Sequence, residues 1–188
     1  MAPTLGMAFA RIEWFSPNRD PAAHERLGAL FHHSGMGFDE TIARMLDPAS
    51  RVSYHCLIGL DGTRCTLVPD EQVAWHAGSS RFLGRERCND FLLGIAFAGD
   101  THLAPLTEEQ VCSALEWLGE RWEPLGWDAA RVVDHRQVSP GRKRDLDPAQ
   151  WDRLYSEILS RFGSGRGASV SGLKSRPTGD RNAWPPPR

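Results

Sequence analysis

Short apolar runs of strand length alternate along this chain with amphipathic segments of helical period, and that alternation leaves few folds open. The run "RLGALFHH", 26–33, reads as a buried strand ending in polar residues. "FDETIARML", 38–46, places Phe38, Ile42, Met45 and Leu46 on one helical face, and Asp47-Pro48 ends that helix. "RVSYHCLIGLDGTRCTLVP" is a hairpin signal, two strand-forming runs around Asp61-Gly62, a dipeptide that tolerates the positive φ of a type I′ turn. A further strand lies in "FLLGIAFAG", 91–99. "TEEQ" then opens a helix, with Thr107 and Gln110 at capping-box spacing and Val111, Leu115, Leu118 and Trp122 as its core-facing stripe. After a short strand "RVVDH", a last helix has Asp147 as N-cap and Pro148 in its first position. Trp151, Leu154, Tyr155, Ile158 and Phe162 lie on one side of it, and Gly163 suits its C-terminal cap. The alternation predicts an α/β fold: one domain with a central mixed β-sheet flanked by helices.

At 188 residues the chain has room for one sizeable core. We expect a folded domain over 26–163, preceded by a segment, 1–25, packed on it. From 164 to 188 the chain is rich in Gly, Ser, Arg and Pro without apolar periodicity, the composition of a disordered tail. A net charge of only −2 argues against a nucleic-acid partner. No apolar stretch approaches the roughly 20 residues of a membrane span. The start, "MAPTLGMAFARIEWFSPNRD", lacks the long apolar run of a secretory signal, so a cytoplasmic monomer is expected. Cys56, Cys65, Cys88 and Cys112 show no paired metal spacing and are expected as free thiols, although Cys56 and Cys65 flank the predicted hairpin turn.

Placement of the histidines is more informative than their number. His32 and His33 end one predicted strand, His135 ends another, and Asp145 lies ten residues beyond His135 in a Pro/Gly-containing loop. Strand ends and the loops after them commonly carry active sites. Two imidazoles and a carboxylate suffice to hold zinc with one tetrahedral position open, as a hydrolytic centre requires. Scattered His and Asp residues are more often surface or structural groups, and spacing alone does not decide between the two readings.

The segments around those residues are more specific. "FHHSG", "VSYHCLIGLDGT", "VPDEQVAWHAGSS", "RERCND", "GIAFAGD" and "DHRQVSPGRKRDLDP", in that order, resemble the zinc-dependent N-acetylmuramoyl-L-alanine amidases and their relatives, the peptidoglycan recognition proteins. The resemblance covers roughly residues 26–162. It implies a peptidoglycan recognition protein/amidase-like fold over 26–163, one zinc ion, and hydrolysis of the amide between N-acetylmuramic acid and L-alanine. His32, His135 and Asp145 match the metal ligands of the recycling branch of that family, and Lys143 matches its catalytic lysine. His32 is favoured over His33 because consecutive strand residues point to opposite faces.

One departure stands out. Recycling enzymes typically read "GIELEG" where this chain reads "GIAFAG", so Ala96 and Ala98 replace acids that act on the attacking water. Phage and animal amidases carry a tyrosine where this chain has Tyr54, implying a phenol that orients that water. The resemblance also implies substrate contacts at Trp75, His76 and Asn89. The expected partners are peptidoglycan fragments in a cytoplasmic recycling role, or the intact cell wall for a released phage endolysin. The missing acids keep open a different class, a peptidoglycan-binding module that does not cut.

Overall fold

The computed structural model describes residues 9–163. Among the described residues ten strands and four helices follow one another in chain order. The strands are β1 (Arg11–Glu13), β2 (Arg19–Asp20), β3 (Gly28–His33), β4 (Cys56–Ile58), β5 (Arg64–Thr66), β6 (Val73–Ala74), β7 (Arg81–Phe82), β8 (Arg85–Glu86), β9 (Leu92–Phe97) and β10 (Val132–Asp134). The helices are α1 (Phe38–Leu46), α2 (Glu108–Trp122), α3 (His135–Val138) and α4 (Pro148–Phe162). Six strands form the main sheet in the order β1-β5-β4-β9-β3-β10. β4, β9, β3 and β10 run parallel, while β5 is antiparallel to β4, giving the mixed sheet that the alternation predicts.

The central pair β3 and β9 is buried along almost its whole length, as expected for parallel strands covered on both faces. Alternate residues divide between two cores. Ala29, Phe31, Leu93, Ile95 and Phe97 pack against Leu118 of α2 and Trp151, Leu154 and Ile158 of α4. On the opposite face Leu30 and Leu92 meet Ala77, Phe91 and Val138, while Leu57 and Ala96 meet Met45 of α1. The α2 stripe of Val111, Leu115, Leu118 and Trp122 is buried, and each such side chain contributes on the order of 1.5–3 kcal/mol. Thr107 and Gln110 close the predicted capping box, and the Asp147 carboxylate accepts from the Ala149 and Gln150 amides.

The structure corrects several local readings. The β4–β5 turn is not type I′, because that turn needs two residues at positive φ and only Gly62 (φ 80°) takes one. The Gly62 amide donates to the Gly59 carbonyl and the Asp61 carboxylate accepts from Thr63, so Asp61 shapes the turn by its side chain. Register pairs Cys65 with Leu57, placing Cys56 and Cys65 on opposite faces as free thiols. Arg26 takes a left-handed φ of 53°, which delays the strand read from 26 until Gly28. His135 does not end a strand but begins the short helix α3, capped by Asp134 and Gln137. Residues 11–13 form an edge strand of the main sheet, and the buried Asn18 amide ties this segment to the Met45, Asp47 and Val52 carbonyls. The tail read as disordered, 164–188, lies outside the described residues. Among the described residues no helix is long and apolar enough to cross a membrane.

Candidate metal centre

Strand register is what brings the distant candidates together. β10 lies beside β3 with Asp134 opposite Phe31, so the next residue of each strand, His135 and His32, emerges at the same sheet end. Alternation turns His32 to the α1 face. His33 turns the other way, where its Nδ1 contacts the Thr101 hydroxyl at 2.7 Å. The loop after α3 returns Asp145 to the two imidazoles, guided by the Arg136 amide donating to the Asp145 carbonyl (3.2 Å). Arg142 fastens the same loop to the Ala77 and Ser79 carbonyls, at 2.5 and 2.8 Å.

His32 Nδ1 lies 2.9 Å from His135 Nδ1 and 3.2 Å from Asp145 Oδ2, and His135 Nδ1 lies 3.0 Å from that oxygen. A tetrahedral zinc centre separates its ligand atoms by roughly 3.3 Å. The protons of these imidazoles follow from their outer partners, since a carbonyl only accepts. His135 Nε2 faces the Ala77 carbonyl at 3.1 Å and must carry the proton, leaving Nδ1 bare. His76 Nε2 faces the Leu92 carbonyl at 3.0 Å, so its bare Nδ1 accepts from His32 Nε2, also at 3.0 Å. His32 Nδ1 is then bare as well. Two nitrogen lone pairs and a carboxylate oxygen thus crowd one point, an arrangement that repels itself without a cation and suits one with nitrogen and oxygen ligands. These three residues form a group able to hold a metal ion.

Burial and the neighbouring His135 push the His32 imidazole down to about 4, so it stays neutral and available as a ligand. Burial likewise pushes His55 down to about 3. In the unfolded chain these imidazoles take up protons near pH 6.5, whereas in the folded chain they do not, so stability is complete above 6.5 and declines as pH falls toward 4. The unfolding free energy of the metal-free chain, read from denaturant melts, is therefore expected to fall between pH 7 and 4.5 by an amount on the order of a few kcal/mol. A His55→Gln chain should show a shallower slope, and a flat profile in the parent chain would contradict this origin.

A cavity of about 390 Å³ opens over the cluster, lined among others by Met36, Arg44, Val52, Tyr54, Trp75 and Lys143. Tyr54 places its ring 5.3 Å from that of His32, and burial raises its phenol, which remains a protonated donor. Neither the Tyr54 hydroxyl nor the Lys143 ammonium makes a hydrogen bond or ion pair with the described residues, so both are available at the cavity. Trp75 also lines it, its ring held by Nε1 donating to Asp20 at 3.1 Å.

Two expected substrate contacts, His76 and Asn89, also have hydrogen-bond partners inside the protein. His76 lines the cavity, with both ring nitrogens engaged within the protein. Asn89 does not line the cavity; its Oδ1 accepts from the His76 and Ala77 amides at 3.0 and 2.7 Å. Ala96 pairs with His32 across the sheet and packs with Met45 and Leu57, so the floor beside His32 is apolar. Arg44, a second cation at the cavity, was not singled out by the periodicity of α1, which reports the apolar face and is silent on where the polar residues end up.

Known proteins place this geometry. The family model for N-acetylmuramoyl-L-alanine amidase matches residues 25–150. The 1,6-anhydro-N-acetylmuramyl-L-alanine amidase AmpD of Haemophilus influenzae is 40% identical over 114 residues, 57% of this chain and 59% of that protein. AmpD of Citrobacter freundii is 40% identical over 147 residues, 77% of this chain and 68% of its own length. A crystal structure of a selenomethionine derivative of AmpD superposes with a TM-score of 0.66 at 29% identity, covering 80% of this chain and 95% of that one. The match to the Haemophilus protein thus spans under two thirds of that relative's length. With a family model matched from β3 through the loop that carries Asp145, this chain belongs to the N-acetylmuramoyl-L-alanine amidase family.

Proposed function

We propose that residues 26–163 form a zinc-dependent N-acetylmuramoyl-L-alanine amidase that releases the stem peptide from muropeptides. The observation that carries this reading is the convergence of two bare imidazole nitrogens and one carboxylate oxygen, 2.9–3.2 Å apart, at the floor of a cavity. His32, His135 and Asp145 would hold the ion. When bound, zinc supplies a Lewis acid that acidifies water and polarises the scissile carbonyl. The lactyl–alanine amide is unreactive in water, so the protein must also stabilise the oxyanion formed on attack. The Lys143 ammonium, unpaired at the cavity, is suited to that charge. Tyr54, kept protonated by burial, accepts from or donates to the attacking water and fixes its approach. Trp75 offers an indole edge to a sugar or peptide stem. Likeness to AmpD favours anhydro-muropeptides over intact wall as substrate.

Purified protein should contain one zinc per chain, release the stem peptide from anhydro-muropeptides, and lose activity on chelation. A zinc-loaded chain inert on both anhydro-muropeptides and intact sacculi would overturn the reading. If such a chain still bound those ligands, it would be the non-cutting module that Ala96 and Ala98 keep in view. Replacing Tyr54 by Phe should lower kcat by about tenfold to a hundredfold with zinc content unchanged. Unaltered turnover in that variant would remove Tyr54 from the orienting role.

A further inference from the structure

Two residues whose motif suggests substrate contact, His76 and Asn89, also support the histidines of the cluster, together with one carbonyl and one glycine. The His76 ring accepts from His32 Nε2, and the next residue, Ala77, offers its carbonyl to His135 Nε2. Adjacent positions of one segment therefore meet the outer nitrogens of both candidate ligand histidines. That segment is itself pinned: Asn89 Oδ1 accepts both of its amides, at 3.0 and 2.7 Å, and His76 Nε2 donates to the Leu92 carbonyl. Room for the His76 ring exists only because β9 has no side chain at position 94. A Cβ there would lie 2.5–2.7 Å from three atoms of the ring.

We propose that His76–Ala77 is a bracket that fixes the tautomers of His32 and His135, with Asn89 and Gly94 as its positioning residues. The proposal rests on the zinc reading above. An imidazole can present either nitrogen to a metal, and the partner of the other nitrogen decides which. Because the Leu92 carbonyl forces the proton of His76 onto Nε2, His76 can only accept from His32, and His32 can only present Nδ1. The Ala77 carbonyl makes the same choice for His135. The bracket thus commits both bare nitrogens to the point where Asp145 Oδ2 arrives, before any ion binds.

The test reads tautomers and zinc affinity in the full chain. Imidazole ¹⁵N shifts of the metal-free and the zinc-loaded protein should report Nε2–H for His32, His76 and His135. His32 found with its proton on Nδ1 in the metal-free chain would overturn the proposal. A His76→Phe chain, which fills the space without an acceptor, should bind zinc about 10- to 100-fold more weakly in competition with a chelator. His76→Asn, whose Oδ1 replaces the acceptor, should recover most of that loss, and Gly94→Ala should weaken zinc although it touches no ligand. Unchanged zinc affinity in His76→Phe would also overturn the bracket. Should the parent chain take up no zinc, the amidase reading fails, while the metal-free tautomers still decide this one.

Discussion

An Asp145→Ala chain is expected to purify without zinc and to hydrolyse muropeptides more than about a thousandfold more slowly than the parent. Among the described residues the carboxylate is the only anion at the cluster, and its loss leaves two neutral imidazoles that hold a divalent ion weakly. The change should be local, because the sheet and α4 pack through other residues. Metal-free stability should be kept or slightly raised, since an oxygen about 3 Å from two nitrogen lone pairs has gone. What should disappear is the stabilisation by added metal, which for a parent chain at a hundredfold excess over Kd is about 2.7 kcal/mol. Thermal melts with and without zinc, alongside metal analysis, check both halves. A variant that kept one zinc at parental affinity would remove Asp145 from the ligand set.

Lys143→Ala is expected to separate binding from chemistry. Its ammonium lines the cavity without a hydrogen bond or ion pair from its side chain, while its backbone amide anchors the loop by donating to the Ser139 carbonyl. Truncating the side chain should leave that anchor and the metal cluster in place. Zinc affinity should hold or rise slightly, because a cation that already disfavours charge on His32 has been removed. Turnover should fall by about a hundred- to a thousandfold, the usual loss when one oxyanion donor is removed from a sheltered site, with KM little changed. Lys143→Arg should recover part of the rate. A fall in zinc content parallel to the fall in rate would instead assign Lys143 to holding the loop.

Much of the architecture was readable from local signals. The 3.6-residue stripe of α2, its Thr107–Gln110 box and the Asp147-Pro148 start of α4 all appear where periodicity and capping chemistry put them. Local rules failed where a side chain overrode a dipeptide preference. The Asp61 carboxylate turned the β4–β5 hairpin by a different route, and Asp134 capped a helix where an apolar run suggested a strand end. β1 has no local signal, because three residues reading Arg-Ile-Glu carry no strand period of their own. It is a strand because β5 offers an open edge.

For the site, the sequence by itself determined the ingredients: two histidines after apolar strands, an aspartate and a lysine in the following loop, and the absence of acids at 96 and 98. These are facts about residue type and order, and chemistry constrains what such types can do. Only the tertiary structure decided how they face one another. Parallel register between β3 and β10 joined residues 103 apart in sequence, and the carbonyls of Leu92 and Ala77 settled which nitrogen each imidazole exposes. It also tied the His76 ring to His32 and the Asn89 side chain to the His76 amide. Neither register nor the direction of a hydrogen bond is written in a residue's identity. Both depend on which backbone group packing brings within 3 Å, so the motif named the participants and the fold assigned their roles.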